Sequence, residues 1–349
     1  MRRSIRRSDS IVHCLISPAA GAPPHGPRRG FKVSAARPVL ISNPTSFTNE
    51  QRGQAKLESL VLEAGGLVLN AADEAGLSTA VTRALAGPVT FLAINGGDGT
   101  VHGVVHRLAA AGRQAEVPLL VLSGGRTNVI AADLGTGGRR AARLASRLAA
   151  WRHGQGRETL RPCLQLNLGN GETCHGFLLN AAGLAAAIED CWAFRQRYRR
   201  FGMHGGTGTG TWVAKKLLAA SLGRPVLRSC AASLIWDGRQ VADRLFVLSA
   251  TTHRRLPLGV QPYWGAAEGD LKVTAIGGLA CGFQRRLPAL LLGRGGRYRD
   301  DPGYLSDPAT ELQLIAGEEL VFHLDGESHR LPAGGEMTIN RGPDIRFVA

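Results

Sequence analysis

From Pro38 to about Trp151, short apolar runs alternate with amphipathic stretches. Pro38–Asn43 (PVLISN) is apolar and bounded by turn residues, which predicts a buried strand. Glu50–Ala64 places Leu57, Leu60, Val61 and Ala64 on one face and predicts a helix. Leu67–Leu69 reads as a strand and Leu77–Ala86 as a helix. Val89–Ile94 (VTFLAI) reads as a strand running straight into Asn95-Gly-Gly-Asp-Gly-Thr100. After that turn Val101, Val104, Val105 and Leu108 recur at i, i+3, i+4 and i+7, the stripe of a core-facing helix. Pro118–Leu122 predicts a further strand, followed by Ser123-Gly-Gly-Arg-Thr-Asn128 and another helix. This order implies a parallel sheet covered by helices, an α/β fold class for the N-terminal part.

Beyond Trp151 the pattern becomes one of paired strands. Leu164–Leu168 and Thr173–Asn180 flank Asn170-Gly171, a hairpin turn signal. Ala232–Trp236 and Val241–Leu248 flank Asp237-Gly238, and Leu320–Leu324 and Ser328–Leu331 flank Asp325-Gly326-Glu327. These hairpins argue for an antiparallel β domain, with a helical insertion near Glu189–Leu222. The expected organisation is a basic, disordered tail over 1–36, an α/β domain over 37–155 and an antiparallel domain over 156–349.

Composition narrows the partners. Lys and Arg outnumber Asp and Glu by 42 to 27, a net charge of +15 that favours anionic ligands or surfaces. No apolar run approaches the roughly 18–20 residues needed to span a bilayer. The six cysteines lie far apart without a C-x-x-C pair, so they read as reduced, mostly buried residues of a cytoplasmic protein. The first thirty residues carry six arginines and one acid. His13, Cys14 and Pro18 make the Ile11–Ala22 stretch a poor secretory signal.

Two glycine-rich turns carry the candidate chemistry. Gly96-Gly97-Asp98-Gly99-Thr100 lies between a strand and a helix, where glycines let backbone approach a phosphate and helix-opening N–H groups face it. Asp98 would repel a phosphate directly and so calls for Mg²⁺ or a substrate hydroxyl between them. Gly124-Gly125-Arg126-Thr127-Asn128 occupies the same context, and Arg126 offers two-pronged phosphate contacts. Two such loops at the strand ends of one sheet converge on one crevice, although each alone also suits an ordinary tight turn. Gly202–Gly210 (GMHGGTGTG) lacks the Lys-Ser/Thr ending of a phosphate loop and reads as a flexible loop.

Asn43-Pro44-Thr45-Ser46 after the first strand, the two glycine loops, and the late Asp325-Gly326-Glu327 together resemble the diacylglycerol kinase catalytic domain superfamily, which includes sphingosine, ceramide and bacterial lipid kinases. Asn180-Ala-Ala-Gly183 and Glu268-Gly-Asp-Leu-Lys-Val273 extend the likeness, over about residues 38–348. The resemblance implies a nucleotide domain followed by a β-sandwich, with ATP and Mg²⁺ as cofactors and a lipid hydroxyl as acceptor. It implies that Asn43 and Ser46 touch the nucleotide and that Gly96–His102, Val101 included, wraps its phosphates. The second loop, Gly124 to Asn128 with Arg126 and Thr127, would complete that site. Asp98 would organise Mg²⁺, Glu327 would accept the hydroxyl proton, and Glu268 and Asp270 would lie at a structural metal. Phe47 stands where the family has glycine, and Arg126 where it has threonine. No threonine occupies the stretch around Asn70–Asp73, and Glu268 replaces an aspartate.

A lipid kinase must reach an anionic bilayer surface. Glu189–Phe201 predicts a helix with Cys191, Phe194, Tyr198 and Phe201 on one face and Trp192, Arg195 and Arg199 on the other. Arg285, Arg286, Arg294, Arg297 and Arg299 form a second basic cluster around Leu287–Leu292. Peripheral association with the cytoplasmic face of the membrane is therefore expected. No nucleic-acid partner is expected, because the charge accompanies no reading motif. A homodimer is compatible with the sequence. Competing readings are an NAD or sugar kinase on the shared glycine loop and a catalytically weak nucleotide sensor.

Overall fold

The computed structural model describes residues 36–126, 128–153, 155–198, 205–256 and 261–348. The basic tail expected over 1–36 lies, but for residue 36, outside the described residues.

The N-terminal elements run β1 (Arg37–Ser42), α1 (Phe47–Arg52), α2 (Ala55–Glu63), β2 (Leu67–Asn70), α3 (Glu74–Leu85), β3 (Val89–Gly96), α4 (Asp98–Ala110), β4 (Leu119–Ser123), α5 (Val129–Asp133) and α6 (Arg140–Arg152). The strands pair in parallel in the order β2-β1-β3-β4. Because strand side chains alternate between faces, Val39, Ile41, Leu92, Ile94 and Val121 pack against α3 and α4. Leu40, Phe91, Ala93, Leu120 and Leu122 face α2 and α6. The predicted α4 stripe is fully inside: Val101, Val104, Val105 and Leu108 are buried. Each such side chain contributes about 1.5–3 kcal/mol.

The single helix expected over 50–64 is two. Gly53 adopts φ 68°, a left-handed conformation that ends α1, and Ala55 starts α2. The α3 helix begins at Glu74 rather than Leu77, because Asp73 caps it by accepting from the Gly76 N–H at 2.7 Å.

The C-terminal part contains β5 (Glu158–Leu168), β6 (Thr173–Gly176), β7 (Leu178–Ala181), α7 (Gly183–Arg197), α8 (Gly205–Ser221), β8 (Cys230–Trp236) and β9 (Arg239–Thr251). It continues with β10 (Lys272–Gly277), α9 (Phe283–Leu291), β11 (Tyr304–Pro308), β12 (Glu311–Ala316), β13 (Leu320–Leu324), β14 (Glu327–Leu331) and β15 (Glu336–Val348). Its pairings are antiparallel, as the hairpin signals implied. The last strand also returns to the parallel sheet, Phe347 pairing with Leu119 of β4. A register shift between Arg341 and Asp344 accommodates Pro343, which has no N–H to give the ladder.

Two expectations change here. The strand expected over 173–180 is split into β6 and β7, since the N–H groups of Phe177 and Leu178 both turn to the Asp325 carboxylate. The glycine-rich segment expected to be a flexible loop opens α8 from Gly205, with residues 202–204 outside the described residues. Packing overrides propensity there: α8 lays Trp212 against a cluster that includes Leu227, Phe283 and Leu290.

Candidate active site

The register pairs Ser42 with Asn95 and Gly96 with Ser123, so the chain leaves β1, β3 and β4 at one level. The loops that follow therefore emerge side by side at the carboxyl ends of the strands. A buried polar network sits beneath them. The Asn95 amide donates to Ser42 Oγ at 2.7 Å and to Asn49 Oδ1 at 3.1 Å, and Arg140 Nη1 donates to Asn95 Oδ1 at 2.7 Å and also to Asn49 Oδ1. The Asn49 amide in turn donates to the Asn43 carbonyl at 2.7 Å. Asn43 itself donates to Thr100 Oγ1 at 3.1 Å, linking the first and third strand ends.

Glycine is required in these loops for close approach, since none of Gly96, Gly97, Gly99, Gly124 and Gly125 has positive φ. A Cβ on Gly125 would lie 2.6 Å from the Gly97 Cα, and one on Gly124 would lie 2.8 Å from the Gly96 backbone. The Gly124 N–H donates to the Gly96 carbonyl at 3.0 Å. The two glycine loops thus touch backbone to backbone. A Cβ on Gly99 would lie 3.6 Å from Glu327 Oε1, which sets that carboxylate over the first loop.

An open cleft of about 500 Å³ lies over the loops. Asn43, Ser46, Gly97, Gly99, Thr100, Gly125, Arg126 and Glu327 all line it, so the structure brings these eight expected residues together. Ser46 Oγ is buried with no hydrogen-bond partner among the described residues, a group left for a ligand to satisfy. Phe47 lies across the cleft mouth with the Arg126 guanidinium 4.9 Å from its ring centroid. The two positions that depart from the family pattern therefore stack on each other. Arg126 is the cation among the described lining residues, facing Glu50, Asp73, Glu74 and Glu327.

Other expected residues are placed differently. Asp98 opens α4, and its Oδ1 accepts from the Ile130 N–H at 3.3 Å, at the start of α5. The Val101 side chain belongs to the core and its N–H donates to the Gly97 carbonyl at 3.1 Å, so neither is left to face a phosphate. Asn128, at φ 50°, closes the second loop on itself: Oδ1 accepts from the Gly125 N–H at 2.8 Å and Nδ2 donates to the Gly125 carbonyl at 2.9 Å. Thr127 lies outside the described residues. His102 points behind the loop, with Nδ1 3.0 Å from Asp325 Oδ2 and Nε2 3.6 Å from Glu327 Oε2.

Glu268 and Asp270 are exposed at the approach to β10. Asp270 accepts from Arg341 Nε at 3.0 Å, so a guanidinium already balances it. Among the described residues no group of three or more His, Cys, Asp or Glu side chains is spaced to hold a metal.

Sequence reasoning missed Asn49, Arg140, the contacts of Asp325 within its motif and the structural setting of His102. Asn95 carried a readable signal, a polar amide closing an apolar strand. The others act on partners far away in sequence.

Residues 37–159 match the family model described as the diacylglycerol kinase catalytic domain. No curated protein matches the chain. A solved structure described as a presumed diacylglycerol kinase from Bacillus anthracis str. Sterne aligns with a TM-score of 0.62 at 15% identity, over 89% of this chain and 94% of that one. A second, described as a diacylglycerol kinase from the same organism, aligns with a TM-score of 0.56 at 15% identity, over 89% and 96%. Every lining residue of the cleft but Glu327 thus falls within residues 37–159, the segment that matches the diacylglycerol kinase catalytic domain, in a chain that has the fold of these bacterial proteins.

Proposed function

We propose that the protein is an ATP-dependent lipid kinase that phosphorylates a lipid hydroxyl, of the diacylglycerol or sphingoid kind. The observation that carries this reading is the cleft itself, with its touching glycine loops, a fixed cation on one side and a carboxylate over Gly99. ATP fits the residues present: Ser46 Oγ has no partner among the described residues, Asn43 and Thr100 offer polar atoms, and glycines of both loops line the cleft. Mg²⁺ bound with the nucleotide would neutralise charge on the transferring phosphoryl group. Asp98 is the residue that would hold it. The 96–100 and 124–126 backbone would position the phosphates, and Arg126 would pair with them. Glu327 would accept the hydroxyl proton, while positioning and charge neutralisation supply most of the rate.

Two adjoining apolar cavities support a lipid acceptor. One, about 390 Å³, lies among α7, α8 and α9, and the other, about 380 Å³, lies between α7, α9 and the sheet. They share Leu184, Ile188, Leu227, Leu287 and Leu291. Leu218, Leu222 and Leu292, at the ends of α8 and α9, are more than half exposed and suit a membrane edge. No helix among the described residues is long and apolar enough to cross a membrane. Arg199 and Arg200 lie outside the described residues, and Arg286 is paired with Asp301 and stacked 4.4 Å from the Tyr298 ring centroid. Trp192 meets His323 at 5.1 Å and lines the first cavity together with Cys191 and Arg195, so the two expected helix faces merge there.

Transfer of labelled phosphate from ATP to a panel of diacylglycerols, sphingoid bases and ceramides tests the reading. Incorporation into one lipid class is expected. ATP binding without transfer to any lipid would favour a nucleotide sensor.

A further inference from the structure

Behind Glu327 lies a chain of ionisable groups that the phosphoryl-transfer reading does not use. Asp325 sits at φ 51° in the β13–β14 turn with its side chain almost wholly buried. Its carboxylate accepts from the Phe177 and Leu178 N–H groups and from one ring nitrogen of His102, at 2.9–3.1 Å. An anion held by two backbone donors is a fixed acceptor, so it sets the imidazole tautomer with the proton on Nδ1. Nε2 is then left facing Glu327 Oε2 at 3.6 Å. That gap exceeds a hydrogen bond, and the Glu327 side chain is half exposed.

We propose that His102 is a positioning residue that acts through Glu327: Asp325 fixes its Nδ1–H, which leaves Nε2 placed to accept the proton that the Glu327 carboxylate receives. The proposal rests on the reading of Glu327 as the base. In the transfer, the acceptor hydroxyl oxygen bonds to the γ-phosphorus while its proton moves to Glu327. The bond from that phosphorus to the nucleoside diphosphate breaks, and the electron pair leaves with the diphosphate. The proton then passes from Glu327 to Nε2, giving an imidazolium between two carboxylates and a regenerated base.

The surroundings make His102 the ring suited to this. Burial alone lowers its pKa, but the Asp325 hydrogen bond and charge, with Glu327 and Glu74, raise it above the ordinary value. The neighbouring rings go the other way. Burial and then the charge of His102 lower His106, which stacks on His102 at 6.3 Å. Burial, His106 and His102 push His175 down to about 4. Burial also lowers His329, with His102 adding to it against the pull of Glu327. Of these four rings only His102 has its pKa raised.

The test follows the His102 imidazole signals by NMR against pH in the full-length protein and in Glu327→Gln, with no lipid present. The His102 midpoint is expected above 6.5 in the parent and lower by about one pH unit in the variant, because an opposing charge is removed. An unchanged midpoint would overturn the proposal. In parallel, His102→Gln should cost kcat about 10-fold to 100-fold and remove the acid limb of the kcat–pH profile, with KM for ATP unchanged. A limb that persists in a folded His102→Gln protein also overturns it. A coupled midpoint with full transfer activity in Glu327→Gln would instead refute Glu327 as base, and with it the role of His102.

Discussion

Removing Arg126 should weaken nucleotide binding through two separable contributions. The guanidinium lies over Phe47 at 4.9 Å and lines a cleft otherwise edged by Glu50, Asp73, Glu74 and Glu327. A charge-assisted hydrogen bond to phosphate contributes about 1.5–3 kcal/mol, so Arg126→Thr should raise the ATP Kd by about 10-fold to 150-fold. The ring contact is exposed, where a cation–π pair contributes about 0.5–1 kcal/mol. Phe47→Ala should therefore raise the Kd only about 2-fold to 5-fold. Because Phe47 acts by holding Arg126 in place, the two effects should not add. The double variant should bind like Arg126→Thr alone, a coupling energy of about 0.5–1 kcal/mol. Isothermal titration of ATP into the parent, both single variants and the double variant measures all four values. Repeating it at about 0.1 M and 1 M salt, where the Debye length falls from about 10 Å to 3 Å, should narrow the gap between parent and Arg126→Thr. An unchanged Kd in Arg126→Thr would remove Arg126 from the phosphate site. Strictly additive effects would show that the stacking is incidental.

Asp98→Asn should abolish phosphoryl transfer yet leave the melting temperature nearly unchanged, because the amide oxygen can still accept from the Ile130 N–H; normal turnover in a folded variant would acquit Asp98. Stability should fall on acidification from about pH 6.5 to 4. His175 is buried neutral with its pKa at about 4, so the unfolded chain binds more protons across that window and stability is lost as pH drops. The contribution is on the order of 2 kcal/mol, and His175→Phe should flatten the pH dependence of thermal melting if this is its origin. His102 has the opposite sign: its raised pKa contributes stability below about pH 6.5 that is lost as pH rises through the folded value. Vesicle co-sedimentation should increase with anionic lipid content and decrease with salt, and the joint change of Arg195, Arg197, Arg199 and Arg200 to Gln should weaken it; equal binding to neutral vesicles would refute an electrostatic approach.

Local physics made much of the fold readable. The α4 stripe, the β3 run and the Asp-Gly turns each declare themselves within a dozen residues, because periodicity and turn stereochemistry act at that range. The misreadings of the 173–180 strand and of the α8 segment have a common cause in longer-range partners. Asp325 accepts from Phe177 and Leu178, some 150 residues away, and that capture splits an apparently continuous strand. Trp212 and its partners hold α8 in a segment whose glycines argue against any helix.

The same distinction explains the site. Both glycine loops were legible because a strand-to-helix turn needs its special residues in sequence order. Their glycines, however, answer to each other, Gly97 against Gly125 and Gly96 against Gly124, before any phosphate is considered. Phe47 and Arg126, which stand apart in sequence as two unrelated departures from the family pattern, form one contact in space. A guanidinium in place of a threonine would sweep freely through solvent if glycine stood at position 47. With an aromatic ring there it has a surface to rest on, directed across the cleft. The two changes are therefore best understood as one, a charged arm and its support, and restoring either family residue alone should leave the other without its use.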